Sequence, residues 1–216
     1  MICTNDSGVK SVIDGILGLK DMGFTSTIIQ LIEEAKSLSD FVPGFLPMVG
    51  HLTCIEQFGR IFEPKTPHRQ TAKGNHFKRC LTFFTSLPDP EIEALYGLRN
   101  GMVHDSSMCN INDKVKKTEP AYANLFRPGW NTQRPLVQLP ARDWKGDFSV
   151  FDSNRVIELE ESTTYINITE FPKLLREIHD NVVELHKKSE LFCTITSKPP
   201  IYELMARFAL LVPKKK

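Results

Sequence analysis

The chain has 216 residues, 41% of them hydrophobic and 25% charged, which excludes an intrinsically disordered polypeptide and leaves enough apolar material for a sizeable core. Lys and Arg number 27 against 26 Asp and Glu, so net charge excludes a global bias toward nucleic acid, membranes or acidic partners, and any basic patch has to be local. The opening residues MICTNDSGVK lack the basic and apolar regions of a secretory signal, and no stretch reaches the roughly 20 apolar residues of a membrane span. A cytoplasmic protein without a membrane partner is expected.

Val9, Val12, Ile13, Ile16, Leu17 and Leu19 recur at three- and four-residue steps and predict a helix from Val9 to Lys20, capped by Ser7 or Asp6. A second helix, Thr25 to Leu38, follows the Met22-Gly23 turn and is expected to pair with the first as an antiparallel hairpin. Beyond Pro43, Gly44 and Pro47, the residues Met48, Leu52, Ile55, Phe58 and Phe62 mark a third. The loop Glu63 to Asn75 leads into a helix from His76 to Leu87 built on Phe77, Cys80, Leu81 and Phe84. Asp89-Pro90-Glu91 then reads as a helix start with Asp89 as the cap, and Ile92, Leu95, Leu98 and Met102 as the inward face.

From about Met108 to Ile168 the character changes, with an irregular part through Trp130 and then short segments rich in β-branched and aromatic residues. FSVF and RVIELE, flanking Asp152-Ser153-Asn154, are expected to form a hairpin. Thr169 is the expected cap of a helix carrying Phe171, Leu174, Leu175, Ile178, Val182 and Leu185, and a last helix runs from Pro200 to Leu211. The prediction is an α+β protein. Residues 1–216 form a single domain, a helical bundle interrupted at 108–168 by a small antiparallel sheet. The five cysteines lie far apart with no C-x-x-C pair and are expected to be free, mostly buried thiols.

The chemistry-bearing candidates gather near the end of the fifth helix. On a helix, Asn100 and His104 share a face four residues apart, Arg99 projects from the neighbouring flank, and Tyr96 borders the same side. Gly101 inside the helix predicts close approach of another backbone. Arg99-Asn100-Gly101-Met102-Val103-His104 resembles the signature of the HEPN superfamily, an arginine followed at once by a polar residue and then, after several positions, by a histidine. The resemblance implies an up-and-down helical bundle with the signature late in it. It also implies a metal-independent, cofactor-free endoribonuclease acting as a homodimer whose paired motifs line one cleft, of the kind used in bacterial stress or phage defence.

In that reading His104 takes the proton from an RNA 2′-hydroxyl or protonates the leaving oxygen, Arg99 stabilises phosphorane charge, and Asn100 orients His104 or bonds a phosphate oxygen. One histidine per motif leaves acid and base incompletely supplied, and a two-fold dimer brings the second. One toxin-like branch of the family has a tyrosine two residues past the histidine; here Ser106 stands there, so control through that tyrosine is not expected. The plainer reading makes Arg99 a structural ion-pair residue and His104 a satisfied polar group at a helix end.

Lys65 to Arg79 contains no acidic residue, and Lys65, Arg69, Lys73, Lys78 and Arg79, with Tyr96, are the candidate RNA contacts; the alternative is a solvated loop. His179 and His186 are read as surface residues, because a zinc site needs three or four convergent ligands and none is evident. Trp130 and Trp144 either stack on bases or seal a small core. The competing functional class is a non-catalytic HEPN-like module for dimerisation, nucleotide binding or partner docking. The sequence singles out no protein partner or antitoxin.

Overall fold

The structure, a computed structural model, describes residues 2–3, 7–41, 45–69, 75–112, 122–130, 133–195 and 200–210. In chain order the elements are β1 (Ile2–Cys3), α1 (Ser7–Ile16), β2 (Thr25–Ser26), α2 (Thr27–Phe41), α3 (Phe45–Ile61), β3 (Phe62–Pro64), α4 (His76–Phe84), α5 (Asp89–Asp105), β4 (Cys109–Asn112), β5 (Tyr122–Gly129), β6 (Val137–Gln138), α6 (Val156–Glu161), β7 (Thr163–Asn167), α7 (Phe171–Lys187), β8 (Leu191–Cys193), α8 (Pro200–Phe208) and β9 (Ala209–Leu210). The fold is α+β and mainly helical, with three small sheets among the described residues. No helix among the described residues is long and apolar enough to cross a membrane. The chain divides into two compact units, one made of residues 1–86 and 172–216 and the other of residues 87–171. The second unit starts before the 108–168 layer read from the sequence and takes in all of α5.

In the first unit the predicted apolar stripes are buried: Ile13 and Ile16 of α1, Leu52, Ile55 and Phe58 of α3, Phe77, Leu81 and Phe84 of α4, and Leu175, Ile178 and Val182 of α7. Burial of side chains of this size stabilises by roughly 1.5–3 kcal/mol each before entropy is counted. A close helix crossing lies at Gly59 of α3, where an added Cβ would lie 1.8 Å from the main-chain oxygen of His76. Only glycine allows α4 to start there. Two short sheets tie this unit together: β8 lies between β1 and β3, antiparallel to both, and β9 pairs antiparallel with β2.

The second unit is a four-stranded sheet of order β4-β5-β7-β6 with α5 packed on β4, β5 and β6. It is mixed, not antiparallel as expected, because β5 and β7 run parallel from Leu125↔Thr163 to Gly129↔Asn167. A parallel pair needs a long crossover, and residues 130–162 supply it. That crossover contains the segment read as a hairpin. FSVF is instead a 3-10 turn, Phe148–Phe151, started by Asp147 accepting from the Ser149 amide, and RVIELE contributes α6. Arg155 pairs with Glu158 one helical turn on, and Leu159 packs against a core of Leu125, Trp144 and Val150. The apolar alternation was real, but the inward residue follows helical geometry.

The stretch before Trp130, expected to be irregular, holds β4 and the eight-residue β5. Asn167, not Thr169, is the capping residue before α7: its side chain accepts from the Thr169 amide and hydroxyl at 3.3 and 2.8 Å. Cys54, Cys80 and Cys193 are free and buried and Cys109 is free and half-buried, and burial pushes the Cys54 thiol up to about 12.

Candidate functional site

α5 starts from Pro88, one residue before the expected cap, with Pro90 in its first turn; Asp89 and Glu91 place negative charge where the helix dipole favours it. Ile92, Leu95, Leu98 and Met102 are buried, as their spacing predicts. The helix stops at Asp105 because Ser106 turns left-handed, with φ of 51°, and the Ser106 and Ser107 amides both donate to the Gly101 carbonyl. The chain doubling back then passes Gly101 so closely that a Cβ there would sit 2.9 Å from the main-chain oxygens of both Ser107 and Cys109. This is the close backbone approach expected from a glycine inside the helix, and it anchors the end of α5 that carries the polar cluster.

Tyr96, Arg99 and Asn100 are half-buried and His104 is exposed. Arg99 Nη1 donates to Asn100 Oδ1 at 3.1 Å and lies 2.7 Å from His104 Nε2. A guanidinium has only donors, so Nε2 of His104 accepts, and the imidazole is the neutral tautomer with its proton on Nδ1. The three residues read as sharing a groove therefore form one hydrogen-bonded set, with the arginine joining residues that the helix alone would only stack. The arrangement offers a half-buried permanent positive charge beside the lone pair of an exposed imidazole. A phosphate arriving at Arg99 competes for the guanidinium donors and can leave the Nε2 lone pair free to take a proton.

Tyr96 is on α5 in the second unit, four residues before Asn100, whereas Lys65, Arg69, Lys78 and Arg79 belong to the first; Lys73 lies outside the described residues. Arg79 is committed to Glu63 at 2.8 Å with only 14% of its side chain exposed, and the Lys65 ammonium lies 5.6 Å from the Phe192 ring centre.

His179 and His186 are not surface residues. His186 is 2% exposed with Nε2 donating to Asp14 at 2.8 Å, and half-buried His179 donates through Nε2 to the Leu17 carbonyl at 3.0 Å. Neither partner lies near in sequence, so no local pattern signals these bonds. Among the described residues no group of three or more His, Cys, Asp or Glu side chains is placed to hold a metal ion. Trp144 is the tryptophan that seals a core, its Nε1 donating to the Asp147 carbonyl, while Trp130 is 52% exposed. No family model, curated protein or solved structure matches the chain.

Proposed function

We propose that the chain is a metal-independent endoribonuclease of HEPN type, acting as a homodimer and serving in stress or phage defence. The observation that carries this reading is the single hydrogen-bonded set on the outer side of α5, in which Arg99 Nη1 reaches Asn100 at 3.1 Å and an unprotonated His104 Nε2 at 2.7 Å. His104 Nε2 takes the proton of an RNA 2′-hydroxyl as that oxygen bonds to the adjacent phosphorus. Arg99 holds the charge that builds on the phosphoryl oxygens, and Asn100 keeps the guanidinium aimed. The bond from phosphorus to the 5′-oxygen breaks, and the protonated His104 of a second copy of the chain supplies that oxygen's proton. The products are a 2′,3′-cyclic phosphate and a 5′-hydroxyl.

The test is RNA cleavage by purified protein in EDTA. His104→Ala and Arg99→Ala are each expected to lower the rate by roughly a hundredfold or more. Cleavage persisting unchanged in both variants overturns the site. A non-catalytic docking module is the second reading, favoured by Phe148, Phe151, Val156 and Ile157, which are 58, 55, 50 and 73% exposed along one short stretch. Absence of cleavage of varied RNAs by a fully folded protein decides for that module.

A further inference from the structure

The first compact unit carries a cavity that no part of the ribonuclease reading uses. Its volume is about 230 Å³, smaller than the roughly 300–1,000 Å³ of clefts that take drug-sized ligands. Its polar rim comes from three helices: Arg60 at the end of α3, His76 and Arg79 on the first turn of α4, and Glu203 and Arg207 on α8. Ile61, Ile195 and Phe208, all nearly or fully buried, form an apolar floor.

The charge is unevenly spent. Arg79 is neutralised by Glu63, and Arg207 uses Nε on Glu203 Oε1 at 2.8 Å. Arg60 makes no ion pair with any described residue. Three guanidinium groups line the cavity against one carboxylate, Glu203; Glu63, paired with Arg79, and Glu56, whose charge reaches His76, do not line it. His76 adds no positive charge of its own: burial, and then the charges of Arg79 and Arg60, outweigh Glu56 and hold its imidazole below the usual range. The positions are rigid where it matters, since the close crossing at Gly59 fixes the residue before Arg60 against His76.

We infer that this cavity binds the phosphate group of a small phosphorylated molecule, with Arg60 and the free edge of Arg207 as the recognising donors and the apolar floor under the ligand's body. Guanidinium groups match a phosphate by paired, charge-assisted hydrogen bonds, and the cavity is too small for more than a sugar-sized remainder. The inference stands apart from the α5 cluster, which lies in the other unit.

Calorimetric titration of the full chain with inorganic phosphate, a pentose 5-phosphate, the phosphate-free pentose and a short single-stranded RNA tests it. Both small phosphates are expected to bind saturably and the bare pentose not at all. Arg60 is exposed, so Arg60→Gln leaves the core intact and should weaken binding roughly tenfold or more, as should Arg207→Gln. Arg60→Lys keeps charge without the planar fork and should fall between, whereas Lys10→Gln, exposed on α1, should change nothing. Binding by RNA alone, with neither small phosphate taken up, overturns the small-molecule inference. No saturable binding of any phosphate, or affinities indifferent to both arginine variants, overturns the inference.

Discussion

Among the described glycines, Gly59 and Gly101 are the two where one added carbon closely meets main chain rather than a side chain that can turn away. At Gly59 the clash is with the His76 carbonyl at 1.8 Å, so Gly59→Ala has to separate α3 from α4, at a cost of roughly 3 kcal/mol or more. At Gly101 the contacts are 2.9 Å and the helix regains about 1 kcal/mol of propensity, leaving a net loss near ~1 kcal/mol. Urea midpoints of the two variants check the order, and a larger loss at Gly101 contradicts it. His51 gives a second residue-scale prediction. Its side chain is fully buried and burial lowers its pKa to about 4, so in acid the unfolded chain binds a proton that the folded one refuses. Stability therefore rises with pH between about 4 and 6.5 on account of this group, and between pH 7 and pH 5 wild type should lose roughly 2 kcal/mol that His51→Leu does not. Parallel urea titrations at the two pH values measure the difference; equal losses in both proteins remove His51 as the cause.

Elements differ in how far local sequence determines them. α5 is legible because its apolar positions, its Asp89-Pro90-Glu91 start and its glycine all agree, and the structure moves only the cap, by one residue, to Pro88. The 148–161 crossover is not legible, because the alternation in RVIELE is compatible with a strand until Leu159 has a core of Leu125, Trp144 and Val150 to enter. The polar cluster is half legible. Helical spacing places Asn100 with His104, but the bond from Arg99 depends on a long side chain folding across five positions, which spacing does not encode. Arg60 and Arg207 lie on helices far apart in the chain, and only the tertiary fold brings them to one cavity. The turn from β7 toward α7 rests on Asn167, which is 3% exposed, accepts from Thr169 twice and donates through Nδ2 to the Arg134 carbonyl at 2.7 Å. Asn167→Ala should cost about 2 kcal/mol, and Asn167→Asp, which keeps the acceptor and loses the donor, should cost less if the cap outweighs the tether. Chemical denaturation of both variants ranks the two bonds.

For the molecule as a whole, the ribonuclease reading makes a quantitative demand on assembly. If two copies of the α5 cluster share one cleft and supply one histidine each, adding His104→Ala in excess to wild type should lower cleavage below that of the same amount of wild type alone, because mixed dimers keep only one histidine. Activity per chain should also fall on dilution through the dimer dissociation constant, as followed by sedimentation on the same samples. Cleavage left unchanged by the added His104→Ala, once subunits have exchanged, argues that each chain works by itself.

The sheet order β1-β8-β3 has a consequence for the time at which this protein can fold. The middle strand is the last of the three to leave the ribosome, and β9, the partner of β2, follows it. Residues 87–171 are contiguous and emerge complete while the first 86 still lack their closing strands and α7. The N-terminal helices must therefore wait, apolar faces uncovered, through the synthesis of an entire inserted unit. A ribosome stalled with Phe171 just clear of its exit tunnel should expose a compact segment of residues 87–171 and a protease-sensitive one before it, the reverse of the usual vectorial order.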